Sequence, residues 1–194
     1  MSDIKIEDNF LGWDEFTKLQ SLMMSNPDNS EKEGQMFLFP WTYNDNIDFA
    51  DDKDKFQFVH IFYYDHAPIS PVIEVINPIM EKLNVVAMIR IKANLLTRTP
   101  KIVVNNYHHD IADYDDQDGK PIWPEKLKQI TTSIYYVNTN NGYTEFEDGT
   151  KVENVANRFV TFPGNLNHRG TSCTDKKIKI VINFNYFANE FISS

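Results

Sequence analysis

Apolar and polar positions follow two different rhythms along this chain. Between Leu11 and Met24 the apolar residues Leu11, Phe16, Leu19, Leu22 and Met23 recur at close to the spacing of one helix face. The run Asn26-Pro27-Asp28-Asn29-Ser30 ends that helix as a turn. Met36 to Trp41 and Phe56 to Tyr64 read as strands. Pro68 to Asn84 reads as a second helix, with Ser70 as N-cap and Pro71 at its first position. Pro78 falls inside that helix and predicts a kink or a break, because proline brings no N–H and its ring crowds the preceding turn.

From Val85 the rhythm becomes that of strands. Val85 to Leu96 and Lys101 to Tyr107 are strand segments split by Thr97-Arg98-Thr99-Pro100, and Ile130 to Val137 is a third, rich in β-branched and aromatic residues. Asn141-Gly142 and Asp148-Gly149 are hairpin-turn signals on either side of Tyr143 to Glu147. Arg158 to Phe162 and Lys177 to Phe187 complete the set. Short strands with turn chemistry between them predict a mainly β domain, an antiparallel sandwich or jelly roll, with one or two N-terminal helices on its outside.

Composition narrows the function classes. The 194 residues are within the range of one domain, and 41% apolar content with 14 Phe, 9 Tyr and 3 Trp is enough for a sizeable core. A net charge of −9 argues against a general nucleic-acid binder, which needs a basic face. Cys173 is the only cysteine, so neither a disulfide framework nor a cysteine-rich zinc site is expected. The first residues lack the layout of a signal peptide, and no apolar run approaches the ~20 residues of a membrane span. The expectation is a soluble cytoplasmic protein with no membrane or nucleic-acid partner.

The chemistry concentrates at His108-His109-Asp110. Residues two apart on a strand share a face, so His108 and Asp110 point the same way and His109 the other. His168 follows Phe162-Pro163-Gly164-Asn165, a turn at the end of an expected strand. It lies 58 residues after Asp110, which leaves room for a return strand to bring it alongside. Two imidazoles and one carboxylate are the ligand set of non-haem Fe(II) oxygenase sites, which leave open positions on the metal. Catalytic zinc takes similar ligands. Surface histidines beside an acidic loop would give the same tripeptide.

A second signal comes from the closing strand. Ile178, Ile180 and Ile182 share one face, and Lys177, Lys179, Val181 and Asn183 share the other. A lysine directed into a sandwich interior is costly unless it meets an anion, and a dicarboxylic co-substrate supplies one. Lys179 lies deeper in the apolar run than Lys176 and Lys177, which read as a solvated strand start. Lys177 nevertheless shares the face of Lys179, so either could meet the anion.

Further segments fall in order around these residues: Thr132-Ser133-Ile134-Tyr135-Tyr136-Val137-Asn138, Gly142-Tyr143-Thr144-Glu145-Phe146, and Asn157-Arg158-Phe159-Val160-Thr161-Phe162-Pro163 leading to His168. Together with H-x-D, they resemble the 2-oxoglutarate and Fe(II)-dependent oxygenases, in the prolyl-4-hydroxylase-like branch with relatives in phages. The similarity covers Val85 to Phe187. It implies a double-stranded β-helix (jelly roll, cupin-like) core over 85–187, supported by residues 1–84 within a single domain of 1–194. It implies Fe(II) on His108, Asp110 and His168, and Lys179 as the basic partner of the 2-oxoglutarate C5 carboxylate, where the family often has arginine. Thr132 and Tyr136 match positions whose hydroxyls help bind the co-substrate, and Asn94 a polar contact on the strand before H-x-D. The implied reaction uses Fe(II), 2-oxoglutarate and O2 to hydroxylate an unactivated C–H, with succinate and CO2 as co-products. A peptidyl residue such as proline is the implied substrate, with a free amino acid or other small metabolite as the alternative. A jelly-roll binding module without catalysis is the rival of another class, and a zinc hydrolase lacks an H-E-x-x-H motif here.

Other residues receive structural readings. The acidic run Asp113 to Gly119 fails as a calcium loop, since its sixth position is Asp118 and its twelfth Pro124, and reads as a solvated loop or a lid. Arg169 reads as solvent-facing and Arg98 as a turn residue near the site mouth. Trp41 and Trp123 read as packing.

Overall fold

In the computed structural model, residues 4–24, 38–47, 55–111 and 124–189 are described. The elements are β1 (Lys5–Glu7), α1 (Trp13–Met23), β2 (Thr42–Asn44), β3 (Gln57–Tyr64), β4 (Ala67–Pro68), a 3₁₀ turn (Ile73–Ile76), α2 (Asn77–Lys82), β5 (Val85–Thr97), α3 (Pro124–Leu127), β6 (Thr131–Tyr136), β7 (Tyr143–Phe146), β8 (Lys151–Glu153), β9 (Arg158–Pro163), β10 (His168–Gly170) and β11 (Ile178–Ala188).

They form two antiparallel sheets. The larger runs β1-β9-β6-β11-β5-β3-β2 with β4 on β3, and the smaller runs β10-β7-β8. The architecture is the double-stranded β-helix. The N-terminal region does more than pack outside this core, because β1, β2 and β3 extend the larger sheet at both edges.

The long strand β11 shows why the sheet has two different faces. Ile180, Ile182, Phe184 and Tyr186 join a core with Ile91 and Ala93 of β5, Tyr135 of β6, and Phe16, Leu19 and Met23 of α1. That face is covered by the helices. On the opposite face Val181 packs with Ile134, Tyr136, Phe146, Val160 and Phe162 between the two sheets. The same face carries Lys179, Asn183 and Asn185, all buried or half-buried. Alternation along an extended chain therefore separates a wholly apolar layer from one with polar side chains.

Several expected elements take other forms. The helix expected over 68–84 is broken into the 3₁₀ turn and α2, with Pro78 in the first turn of α2. Ser70 does act as a local cap: its Oγ accepts the Val72 N–H at 3.1 Å and bonds His60 Nε2 at 2.7 Å. Residues 38–41 are not a strand, and 36–37 and the turn at 26–30 lie outside the described residues. Asp148-Gly149 makes the β7–β8 hairpin, with Gly149 at φ 86°. Asn141-Gly142 instead enters β7 without joining paired strands. A Cβ on Gly142 would lie 2.8 Å from the Ser172 carbonyl oxygen, so the close approach requires glycine.

The N-terminal segment is fastened to the sheet by one side chain. Asn157, at φ 62°, accepts the Leu11 N–H at 2.8 Å and the Tyr135 hydroxyl at 2.9 Å, and donates to the Leu11 carbonyl at 2.9 Å. Phe10 stacks on Phe159 alongside, with ring centroids 4.2 Å apart. Asn157→Ala is expected to lower unfolding free energy by roughly 2–4 kcal/mol, since it removes three buried hydrogen bonds and leaves a Cβ residue at positive φ. Urea denaturation measures this, and a loss below ~1 kcal/mol would mean the fastening is unimportant.

Candidate active site

After β5 the chain returns across the mouth of the sandwich as an irregular strap rather than the strand expected over 101–107. The strap is nonetheless paired. Ser172 N–H donates to the Val103 carbonyl at 2.9 Å, and Asn105 N–H to that of Gly170 at 3.0 Å. His108 N–H donates to the His168 carbonyl at 3.0 Å, and His168 N–H returns to the His108 carbonyl at 3.1 Å. This pairing sets the two imidazoles side by side, with centroids 4.9 Å apart. His168, on β10, is further enclosed by Phe162 and Phe146.

The ring orientations are set by the backbone. His108 Nδ1 lies 3.1 Å from the Asn106 carbonyl, and His168 Nδ1 lies 3.2 Å from that of Leu166. A carbonyl only accepts, so each Nδ1 carries a hydrogen, and Nε2 is the nitrogen each ring can offer as a ligand. Both Nε2 atoms face the same oxygen, Asp110 Oδ1, at 3.9 and 3.8 Å. Asp110 is itself held in place: Asn183 Nδ2 donates to Oδ1 at 3.1 Å, Asn185 Nδ2 to Oδ2 at 3.2 Å, and Arg90 lies 3.6 Å from Oδ1. Burial pushes its carboxyl pKa up, but His168, Arg90 and His108 outweigh this and hold it far below the ordinary carboxylate range.

Two imidazole nitrogens and an anionic oxygen thus converge within 4.8 Å of one another. With the Nδ1 hydrogens turned outward to backbone carbonyls, both Nε2 atoms are aimed at the Asp110 oxygen. A cation fits this point, and a mixed nitrogen–oxygen set suits Fe(II) as well as zinc. His109 takes no part, since it turns away to the Asn165 carbonyl at 3.0 Å.

The three groups open into a cavity of about 220 Å³, smaller than the roughly 300–1,000 Å³ of a site for a drug-sized ligand. Lys179 lines it, only 2% exposed, and donates to the Thr171 carbonyl at 2.9 Å and towards that of Tyr143 at 3.4 Å. Burial pulls its pKa down to about 7. Lys179 precedes Asn183 by four residues on one face of β11, about 13 Å along the strand. The cavity therefore has a carboxylate-and-imidazole end and an ammonium end. Between them Asn94 contributes a buried Oδ1 with no hydrogen-bond partner among the described residues, and Asn183 a second.

The structure sorts the residues singled out in the sequence. His108, Asp110, His168, Lys179 and Asn94 meet at one cavity. Lys177 and Lys176 are exposed at the strand start, which separates them from Lys179. Tyr136 and Thr132 are not among the described lining residues and reach the site through others. The Tyr136 hydroxyl, whose pKa burial pushes up, donates to Thr144 Oγ1 at 2.8 Å, and Thr144 lines the cavity. Thr132 Oγ1 accepts from Asn185 Nδ2, the group that also holds Asp110. Arg169 is not simply solvent-facing: it pairs with Glu145 at 2.6 Å and lies over the Tyr107 ring at 4.2 Å. Arg98 is exposed, Trp41 packs against the core, and the acidic run 113–119 and Trp123 lie outside the described residues. Sequence patterns alone did not single out Arg90, Lys92, Asn105, Thr171 and Asn185. Arg90-Ile91-Lys92-Ala93-Asn94 carried a signal for the first two, because its polar residues fall on alternate positions of an otherwise apolar strand.

No family model and no curated protein matches this sequence. Solved structures do match in three dimensions. A prolyl hydroxylase from Trichoplax adhaerens, in complex with a peptide fragment of the hypoxia inducible factor oxygen degradation domain, has a TM-score of 0.62. The match has 13% identity and covers 97% of this chain and 84% of that one. This is the fold of the prolyl hydroxylases and 2-oxoglutarate–Fe(II) oxygenases. The viral collagen prolyl hydroxylase of Paramecium bursaria Chlorella virus-1 matches at TM-score 0.53 and 14% identity, over 97% of this chain and 91% of that one. HygX from Streptomyces hygroscopicus, with nickel, 2-oxoglutarate and hygromycin B bound, matches at 0.55 and 10%, over 98% and 84%.

Metal binding tests the convergence directly. Mn(II) at about a hundredfold its Kd is expected to add about 2.7 kcal/mol, raising the melting temperature by roughly 5–10 °C. Differential scanning fluorimetry should show that rise lost in His108→Ala, Asp110→Ala and His168→Ala and kept in His109→Ala. An equal rise in all four variants would place the metal elsewhere.

Proposed function

We propose that this protein is a 2-oxoglutarate- and Fe(II)-dependent dioxygenase that hydroxylates an unactivated C–H, with succinate and CO2 as co-products. The observation that carries the reading is the cavity itself: two imidazole nitrogens and a carboxylate converge at one end, and a buried lysine stands at the other. Bound iron would supply the reaction with O2; the protein supplies binding, orientation and a dry pocket.

His108, Asp110 and His168 would hold the metal, and the Asn106 and Leu166 carbonyls keep each imidazole in the tautomer that presents Nε2. Asn183 and Asn185 fix the Asp110 carboxylate, with Thr132 steadying Asn185. Lys179 would receive the C5 carboxylate of 2-oxoglutarate, exchanging two backbone carbonyls for a full counter-charge. Thr144, positioned by Tyr136, and Asn94 offer polar groups between the two ends.

A peptidyl residue such as proline is the favoured substrate, and the fold likeness to a prolyl hydroxylase with a bound peptide supports it. The likeness to HygX with hygromycin B bound supports a small-molecule substrate as the second reading. A non-catalytic module gives no reason to bury Lys179 opposite three convergent ligands. No described helix is long and apolar enough to cross a membrane, and the cytoplasm is the proposed compartment.

Anaerobic addition of Fe(II) and 2-oxoglutarate should produce a weak visible charge-transfer band, absent from His108→Ala and Asp110→Ala. A featureless spectrum from the intact protein would refute the oxygenase reading. Lys179→Met is expected to weaken 2-oxoglutarate binding by roughly 30-fold or more. A pH signature accompanies it. The free Lys179 titrates near 7, and a bound dicarboxylate favours its charged form, so binding at pH 8.5 must take up close to one proton. Affinity should therefore fall as pH rises above about 7. Calorimetry in buffers of different ionisation enthalpy measures the uptake, which should vanish in Lys179→Met.

A further inference from the structure

The cavity holds more positive charge than a divalent metal and a dicarboxylate would use. Its described lining includes three cations, Arg90, Lys92 and Lys179, against one carboxylate, Asp110. A divalent ion and a dicarboxylate cancel one another, which leaves a formal excess of two positive charges. The chain as a whole carries −9, so the excess is local.

Position assigns that excess to the metal end. On β5, Lys92 is in register with Asn183 and Arg90 with Asn185, the two asparagines that hold Asp110. Arg90 is partly engaged: its Nε donates to Asn185 Oδ1 at 3.1 Å, and its guanidinium lies 3.6 Å from Asp110. Lys92 differs: its side chain makes no hydrogen bond or ion pair with any described residue, although the residue is half-buried. Its neighbour on β3 is Ile61, which offers no counter-charge. Burial and the Arg90 charge both pull its pKa down, with Asp110 opposing. Once Asp110 is committed to a metal, that remaining compensation weakens. An ammonium so placed lacks an anion among the described residues, and the co-substrate's distal carboxylate is already matched to Lys179.

We propose that Lys92, with Arg90 beside it, determines substrate specificity by receiving an anionic oxygen group, carboxylate or phosphate, carried close to the carbon that is hydroxylated. The proposal rests on the oxygenase reading of the site and adds the substrate's chemical class. Lysine suits the role because its compact charge can meet one anionic oxygen without the planar geometry that arginine imposes.

The test uses the full chain loaded with Zn(II) and 2-oxoglutarate, which fills the site without turnover. Binding is measured by NMR saturation transfer and competition with matched probes. These are proline-containing peptides whose flanking residue is Glu, phosphoserine, Gln or Lys, and free glutamate, phosphoserine, glutamine and lysine. The acidic probes are expected to bind at least about tenfold tighter than the Gln probes. Comparison of the Glu and phosphoserine arms names the anion. The advantage should vanish in Lys92→Met, return in Lys92→Arg and pass to the Lys probes in Lys92→Glu. The 2-oxoglutarate affinity of the Zn(II)-loaded Lys92→Met and Lys92→Arg variants should stay within about twofold of the parent's, because its distal carboxylate is held at the far end of the cavity by Lys179. Absence of an acidic preference in the parent, including absence of any binding, overturns the proposal. So does a Lys92→Met variant that loses 2-oxoglutarate affinity as Lys179→Met does, since the lysine then serves the co-substrate. Failure of the parent to take up Zn(II) and 2-oxoglutarate shows itself at the loading step and refutes the oxygenase reading on which the proposal stands.

Discussion

Two backbone hydrogen bonds, from His108 to the His168 carbonyl and back, hold the site together. They join an irregular strap to a three-residue strand, so neither segment has a long ladder to fix its register. Pairing directly opposite residues brings their side chains to one place at no cost in strand regularity. Moving either segment by one residue would turn an imidazole to the opposite face. The neighbouring contacts of Val103 with Ser172 and of Asn105 with Gly170 act in the same direction.

The polar face of the larger sheet depends on that register. Asn183 and Asn185 can hold Asp110 only because the strap delivers its carboxylate above them, and their presence on β11 is what makes a buried carboxylate tolerable. Lys179, four residues earlier on the same face, has no such partner and must share two backbone carbonyls. One strand thus supplies a neutral polar cradle for an anion at one level and an uncompensated cation at another. Strand β5 adds Arg90, Lys92 and Asn94 alongside. The apolar alternate positions of both strands meanwhile anchor them to the helix-covered core, which keeps the polar positions aimed into the cavity.

Parity explains why much of this was legible in the sequence. Ile178, Ile180 and Ile182 against Lys179, Val181 and Asn183 is a period-two pattern that long, well-paired strands preserve, and β11 is paired on both sides. The separation of His108 and Asp110 from His109 was legible for a different reason. The chain there is not a regular strand, yet the backbone pairing at His108 fixes its side, and the acidic side chain follows to the same cavity. Pattern reasoning failed where strands are short or irregular: β1, β8 and β10 have three residues each, too few to show a rhythm. At 68–84 the pattern held in part: the expected helix is divided into a 3₁₀ turn and α2, the break that Pro78 predicts through its missing N–H.

The sequence by itself determined the mainly β architecture, the two faces of the closing strand, and the residue types that could bind a metal and an anion. Those follow from local stereochemistry, since alternation and turn preference act over a few residues. Only the tertiary structure decided that the strap pairs with β10, that Lys179 rather than Lys177 is buried, that Tyr136 and Thr132 reach the cavity through Thr144 and Asn185, and that Arg90 and Lys92 stand beside Asp110. These depend on which distant segments meet and in what register, and the free energy that selects a register is summed over the whole packed sheet rather than over any one stretch of chain.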